Sequence, residues 1–431
     1  MKILFVEPVI VPGVRSLWGK ILRKLYTSNS LTFQMLAAVT PKRHSIKLVD
    51  ERFDDIDYNE ECDIVGITCT TYYAPHAYEI ADKFREKGKT VVLGGHHPTV
   101  MPQEAKIHAD AVVMGEGENT WPQLLEDFEN GNLKSFYKSE KPVNLKSIPF
   151  PRRDIVVKNL LVARVQATRG CPYKCNFCCI SNVEGSTLRK RPIDDVINEI
   201  KNIPQKFLIF SDASLTIDLE YTKNLFKQMK KLKKKFSCCG NIDALVSDDE
   251  LLKLAKEAGC VAWYIGFETF SQEALDNVGK TTNVVERYKE VVEKIHKNRM
   301  AVIGSFIIGF DEETEETLSN YSKNIDDLKL DGIELGILTP FPGTPLFDQM
   351  EKNRRILTRD WTKYSEGNEG DIVFQPKHMS EEKLREYAMG VYMDHIASYR
   401  AVIRNIKTTI RGFKLGFYPI FWSFLQRGLW V

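Results

Sequence analysis

The chain has 431 residues, a formal net charge of +2, 43% hydrophobic and 27% charged residues. That length accommodates two or three domains with their own cores, and the near-neutral balance gives no reason to expect nucleic acid as a partner. Nine cysteines without a leader-like start fit a reducing cytoplasm better than a disulfide framework, and no apolar run reaches the length of a membrane span.

The first part alternates short apolar runs with amphipathic stretches, the pattern of a parallel sheet wrapped by helices. Strands are expected at Ile3–Val6, Ile46–Val49, Ile64–Thr68, Thr90–Leu93 and Ala111–Met114, with helices at Ser30–Val39, His76–Lys87 and Thr120–Asn130. This is a doubly wound, Rossmann-like domain over residues 1–132, whose ligand belongs at the carboxyl ends of the strands. There lie Thr68, Thr70 and Thr71, then Gly94-Gly95-His96-His97-Pro98, then Gly115-Glu116-Gly117-Glu118. Small residues at such ends admit a bulky flat ligand, although Gly-Gly after a strand is also an ordinary tight turn. A glycine-rich dinucleotide fingerprint is missing after the first strand, where Glu7-Pro8-Val9 follows, so NAD is not expected. Residues 133–156, polar and marked by Pro142, Pro149 and Pro151, read as a linker.

A second alternation runs over 157–378. Strands are expected at Ala163–Ala167, Phe207–Phe210, Ser237–Ile242, Val261–Phe267, Val302–Ile308 and Gly332–Leu338. Helices are expected at Pro192–Asn202, Leu219–Lys235, Asp248–Ala258, Asn283–Asn298, Glu313–Asp327 and Pro345–Lys352. Six strand–helix units make a partial (β/α)6 barrel of the TIM type, and chemistry on such barrels sits in the loops at the strand C-termini. After the first of these strands comes Thr168-Arg169-Gly170-Cys171-Pro172-Tyr173-Lys174-Cys175-Asn176-Phe177-Cys178. Three cysteines at C-x3-C-x2-C can aim three thiolates at one centre. Tetrahedral zinc wants a fourth ligand, and no histidine is near in sequence; a four-iron cluster on three thiolates keeps one iron open for a small molecule. Cys179, next to Cys178, points elsewhere if the loop wraps one cluster, and Cys238, Cys239 and Cys260 read as small buried hydrophobes.

The cysteine loop resembles that of the radical S-adenosylmethionine (SAM) enzymes, whose pattern C-x3-C-x-Φ-C places an aromatic where Phe177 stands. The resemblance implies a 4Fe-4S cluster on Cys171, Cys175 and Cys178, SAM chelated at the open iron, and reductive cleavage to a 5'-deoxyadenosyl radical. By position at strand ends, Ser211, Asp212 and Asp243 are candidates to bond the ribose hydroxyls of SAM; Glu268 matches the acidic position the family uses there, and Gly304, Ile307 and Gly309 resemble its adenine-contacting segment. For Asp212 and Asp243 a capping or turn role is an equal reading. The segment up to about Asn130 resembles the cobalamin-binding domain of one large radical-SAM subfamily, through Asp63-Ile64-Val65-Gly66-Ile67, Val92-Leu93-Gly94-Gly95-His96-His97-Pro98 and Met114-Gly115-Glu116-Gly117-Glu118. The Asp-x-His-x-x-Gly motif that supplies a lower histidine ligand in methionine-synthase-like domains is missing. The resemblance therefore implies base-off cobalamin. Adjacent histidines in a loop are more often hydrogen-bonding loop residues than ligands, so His96 and His97 are expected to touch the nucleotide tail and not to ligate cobalt.

By resemblance the chain is expected to be a cobalamin-dependent radical-SAM methylase of an unactivated carbon in an apolar or lipid-like small molecule, fed by a flavodoxin- or ferredoxin-type electron donor. A cyclase or rearrangement enzyme with the same cofactors is the alternative, and a non-catalytic cofactor-carrying partner protein the reading from another class. Past Met379 (379–431) the pattern is helical. Arg400, Arg404, Lys407 and Arg411 interleave with Val402, Ile403, Ile406 and Ile410, and aromatics from Phe413 to Trp430 come after them. With Leu17–Leu25, this reads either as a lid or as a peripheral contact at the inner face of the membrane.

Overall fold

The computed structural model describes residues 1–9, 28–156, 160–365 and 371–397. The first domain is a six-stranded parallel sheet: β1 (Lys2–Glu7), β2 (Ser45–Asp50), β3 (Ile64–Thr68), β4 (Thr90–Gly94), β5 (Ala111–Met114) and β6 (Phe136–Lys138). Its order is β2-β1-β3-β4-β5-β6, so the direction of winding reverses between β1 and β3. Both faces are covered, and the period-two side-chain alternation divides the strands between two cores. Leu4, Val6, Val65, Ile67, Val91 and Leu93 face the helix Ala74–Glu86, while Ile3, Phe5, Ile64, Val92 and Val113 face the helices Thr32–Val39 and Trp121–Glu129. Phe5 stacks on Phe33 at 4.6 Å between ring centres and leans on Trp121 at 5.4 Å.

Two expectations change here. The stretch read as linker contributes β6, whose Phe136 and Tyr137 pair in parallel with Val112 and Val113. The two histidines do not sit in an open loop: Gly95, at φ +103°, turns the chain into the short helix His96–Val100. A Cβ on Gly95 would stand 2.6 Å from Thr68 Oγ1 and 2.8 Å from the Cys69 carbonyl, so the turn needs glycine.

The second domain holds β7 (Val162–Val165), β10 (Phe207–Phe210), β11 (Lys235–Cys239), β12 (Cys260–Glu268), β13 (Ala301–Ile308) and β14 (Gly332–Ile337) in one parallel sheet, ordered β14-β13-β12-β11-β10-β7. Helices Ile193–Asn202, Leu219–Met229, Asp249–Ala258, Tyr288–Lys297 and Tyr321–Leu328 cover it, the open six-stranded barrel that the spacing predicts. Two further strands, β8 (Thr168–Arg169) and β9 (Arg189–Lys190), pair antiparallel and add to the expected set. They close the base of the cysteine-bearing loop. The third barrel strand stops at Cys239 and Ile242 opens the helix Ile242–Ser247, so Asp243 stands in a first helical turn. Among the described residues no helix is long and apolar enough to cross a membrane. The expected contact segments Leu17–Leu25 and Arg400 onward lie outside the described residues.

Candidate functional site

The cysteine loop is defined by its two ends. Gly170 leaves β8 at φ +83°, and a Cβ there would lie 2.2 Å from the Thr187 carbonyl, so the loop can close only over glycine. Its backbone N–H donates to Glu184 Oε2 at 3.0 Å, and Cys171 N donates to the Gly185 carbonyl at 3.2 Å. The far side is tied to the barrel: Asn176 N donates to the Val278 carbonyl at 2.9 Å, and Leu346 N donates to the Asn176 carbonyl at 3.0 Å. Phe177 packs edge-on against Phe310, 6.1 Å between ring centres.

Cys171, Cys175 and Cys178 are half-buried on this loop. Burial pushes all three thiols up, Cys175 to about 11, while the Lys280 ammonium pulls each back. Cys175 Sγ lies 3.7 Å from the Gly279 carbonyl. Lys280 itself donates to Glu268 Oε1 at 2.6 Å. Burial works against its charge, but Glu268, joined by Cys175 and Cys178 as thiolates, more than offsets that and holds the ammonium well above the ordinary lysine range. Glu268 ends β12 at φ +65°, where the register with β13 slips by a bulge, and its carboxylate folds over Gly266. A non-glycine residue in the left-handed region at a strand end, beside a half-buried cation and three thiols, is the kind of strain that collects at functional sites.

Beside the base of this loop, where Arg169 and Glu184 flank it, lies a cavity of about 590 Å³ that none of the three cysteines lines. One wall is the carboxyl edge of the first sheet, through Thr68, Thr70, Gly94, Gly95, His96, Gly115, Glu116 and Gly117. The opposite wall is the barrel mouth, through Arg164, Gln166, Arg169, Glu184 and Ser211. Glu7 closes one end beside Arg52, 3.6 Å away, and burial pushes its carboxyl up to about 7 despite that cation.

Comparison with known proteins gives this geometry a family. The model for the radical SAM superfamily matches residues 165–323, and the model for the B12 binding domain matches residues 31–125. Two curated relatives from Chlorobaculum tepidum are each 32% identical to the chain. One, a bacteriochlorophyllide d C-12(1)-methyltransferase, aligns over 83% of this chain and 80% of its own length. The other, a bacteriochlorophyllide d C-8(2)-methyltransferase, aligns over 77% and 78%. The chain belongs to the cobalamin-binding radical SAM enzymes. Its fold is that of the solved cobalamin-dependent radical enzyme OxsB with aqua-cobalamin and SAM bound, at a TM-score of 0.71 and 16% identity over 99% of this chain and 71% of that one. The chain itself is a radical SAM enzyme that uses a 4Fe-4S cluster, SAM and cobalamin.

The residues present fit these groups. Among the described residues no three Cys, His, Asp or Glu side chains converge on a single ion. A cubane instead takes each thiolate on a different iron, and three cysteines on one loop beside a lysine supply such a donor set with a balancing cation. A corrinoid needs a glycine-lined cradle. At the cavity wall, a Cβ on Gly115 would meet no protein atom within 4 Å, and one on Gly94 would meet only Val113, at 3.7 Å, so both glycines leave that space open. Two buried polar atoms in the cavity wall, Ser211 Oγ and His96 Nε2, have no protein partner and are available to a bound group.

Several expected site residues turn elsewhere. His97 is fully buried between Thr71 Oγ1 and Glu104 Oε1, each 3.2 Å away, and its ring sits edge-on to Trp361. Both His97 and Thr71 therefore brace the sheet edge instead of facing the cavity; adjacent residues in a helix point about 100° apart, and His96 takes the cavity side. The Asp212 carboxylate is likewise engaged by the protein itself. It accepts from Ala167 N (3.1 Å), Thr168 N (2.5 Å) and Thr168 Oγ1 (2.7 Å), and burial pushes it up to about 7 despite those donors. It fixes the strand from which the cysteine loop departs. Glu116 reaches the cavity wall, but both its oxygens are held by Arg169 and Arg189. Ile307 is half-buried, its carbonyl accepting from the Tyr321 hydroxyl at 3.2 Å. Lys280 escapes a reading of the sequence because a lone lysine after a helix carries no pattern; only its approach to three cysteines from another unit marks it.

Proposed function

We propose that this enzyme methylates an unactivated carbon of an apolar or lipid-like small molecule, and that Cys171, Cys175 and Cys178 ligate its cluster. The observation that carries the reading is the cavity shared by the glycine-lined sheet edge and the cysteine-loop side of the barrel. A ligand held in this cavity lies between the two walls. When bound, the cluster supplies the electron that cleaves SAM, and the corrinoid supplies the methyl group. The protein's own part is positional and electrostatic. Lys280, held by Glu268, sets its ammonium beside the three thiols, where it favours their thiolate form. Ser211 and Glu268, at barrel strand ends, are offered to SAM, and Thr68, Gly94, Gly95, His96 and Gly117 to the corrinoid. Phe5, Leu36 and Val113 make the deep wall apolar and exclude water. The bacteriochlorophyllide substrates of the two relatives are large rings, which favours an apolar macrocycle or polycyclic lipid here.

SAM bearing a trideuteromethyl group tests this with a chlorin and a polycyclic lipid as substrates. Transfer of the label to substrate carbon, with 5'-deoxyadenosine formed in step, is expected. Deoxyadenosine formed with a ring-closed, unlabelled product would replace methylation by cyclisation. A flavodoxin- or ferredoxin-type donor completes the proposal, together with a cytoplasmic location and peripheral contact at the inner membrane face through the basic, aromatic C-terminal sequence. Co-sedimentation with anionic vesicles, abolished by truncation after Ala397, checks the membrane contact; equal binding by the truncated chain would remove it.

A further inference from the structure

Four charged side chains cross the seam between the two domains. Arg169, two residues ahead of Cys171, donates from Nη1 to Glu116 Oε1 at 2.9 Å and from Nη2 to Glu118 Oε1 at 2.6 Å. Its Nε donates to Gln166 Oε1 at 2.8 Å, so every edge of the guanidinium is held. Arg189, the partner of Arg169 across the β8–β9 ribbon, donates to Glu116 Oε2 at 2.8 Å and Oε1 at 3.0 Å. Val143 N, on the segment joining the domains, donates to Glu116 Oε2 at 2.9 Å.

The side chains of Glu116, Glu118 and Arg169 are only 7%, 8% and 10% exposed. Surface ion pairs contribute little, but removing one partner of a buried pair strands a charge and is strongly unfavourable. The two ends of this lattice belong to different sites. Glu116 and Glu118 sit on the turn after β5 that walls the cavity, while Arg169 and Arg189 form the ribbon from which the cysteine loop springs. A forked guanidinium bound to two carboxylates fixes distance and angle together, which a flexible ammonium does not.

We propose that Arg169, bridging Glu116 and Glu118, is a positioning residue that sets the separation between the corrinoid and the cluster. It rests on the reading of the three cysteines as cluster ligands and of the cavity as the corrinoid's. The substrate carbon must lie within reach of both groups, so a shift of about 1 Å between the two loops is enough to cost about 10²-fold in productive turnover.

The test uses the full chain reconstituted anaerobically with both cofactors, as wild type, Arg169→Lys and Glu118→Gln. The first readout is the spin relaxation of the corrinoid's Co(II) signal in the presence of the reduced, paramagnetic cluster, which falls steeply with their separation. SAM affinity and the ratio of 5'-deoxyadenosine to methylated product are measured next. Arg169→Lys is expected to keep iron, corrinoid and SAM binding within about two-fold of wild type. It is also expected to change the relaxation and to release deoxyadenosine while methyl transfer falls by about 10²-fold. Glu118→Gln removes one branch of the fork and moves both readouts the same way by less; it decides the matter if Arg169→Lys does not fold. Wild-type relaxation and product ratio in a fully loaded variant would overturn the proposal. A wild-type protein that loads only one of the two cofactors would overturn the underlying site assignment instead, and the proposal with it.

Discussion

The cysteine loop sets the chemistry at the residue scale. Cys171, Cys175 and Cys178 share one half-buried loop next to Lys280, whereas the neighbouring Cys179 ends the motif. Replacing any of the three by alanine is expected to abolish iron retention and SAM cleavage, while Cys179→Ala keeps both; iron analysis and the visible absorption of the reconstituted proteins check this. Equal iron in Cys175→Ala and wild type would contradict the ligand assignment. Glu313 supports a second prediction: it is a buried carboxyl that accepts from Thr269 Oγ1 (2.6 Å), Gly309 N (2.7 Å) and Phe310 N (3.2 Å) behind β13. Burial pushes it up to about 7, against about 4.3 for an exposed glutamate. Between those values the native state holds a proton that the unfolded chain has lost. This group therefore supports folding at the acid end, and its contribution declines as pH rises to about 7. In Glu313→Gln the amide oxygen still serves the two backbone donors and the amide N–H serves Thr269. The variant is expected to flatten the fall of stability with pH by up to about 1.4 kcal/mol per unit, read from denaturant melts at pH 5 to 8. An unchanged slope would contradict the raised carboxyl.

At the scale of elements, the loop depends on how its ends are built. Gly170→Ala combines a left-handed backbone with a Cβ 2.2 Å from the Thr187 carbonyl, whereas Gly185→Ala, at φ +79°, meets nothing within 4 Å. The control should lose about 1–3 kcal/mol, the strain of an alanine at φ +79° and ψ 171°, a region essentially reserved to glycine. Gly170→Ala should lose clearly more and reconstitute without iron, as thermal melts and iron analysis would show. Equal losses in the two variants would mean that the ribbon does not set the loop's shape. Most of these elements are legible because buried parallel strands read as continuous apolar runs, as Ile3-Leu4-Phe5-Val6 and Phe207–Phe210 do. The short β8–β9 ribbon is not, since two-residue strands have no period to detect. β6 is hidden because three residues between polar neighbours resemble a linker until β5 offers them an edge. Site residues divide the same way. The C-x3-C-x2-C spacing is local and so visible, but whether Asp212 or His97 faces a ligand or a backbone donor is decided by contacts across the fold.

On the scale of the whole molecule, two sheets present their carboxyl edges to one cavity, and buried ion pairs across the seam hold them there. A ligand that binds only the folded first domain must stabilise it by mass action. Hydroxocobalamin at a hundred times its dissociation constant is expected to add about 2.7 kcal/mol to the first unfolding transition. No shift in the melting profile, with the corrinoid in excess, would count against the cavity as its site. The central claim is that both cofactors act on one substrate carbon, and one measurement tests it most directly. The protein is reconstituted anaerobically with iron, sulfide and hydroxocobalamin, freed of unbound corrinoid, and given SAM and a reductant; nucleoside products are then read by mass spectrometry. Retained corrinoid absorption with formation of both 5'-deoxyadenosine and S-adenosylhomocysteine is the predicted result. Deoxyadenosine without retained corrinoid or S-adenosylhomocysteine would contradict it and leave the first domain with another task.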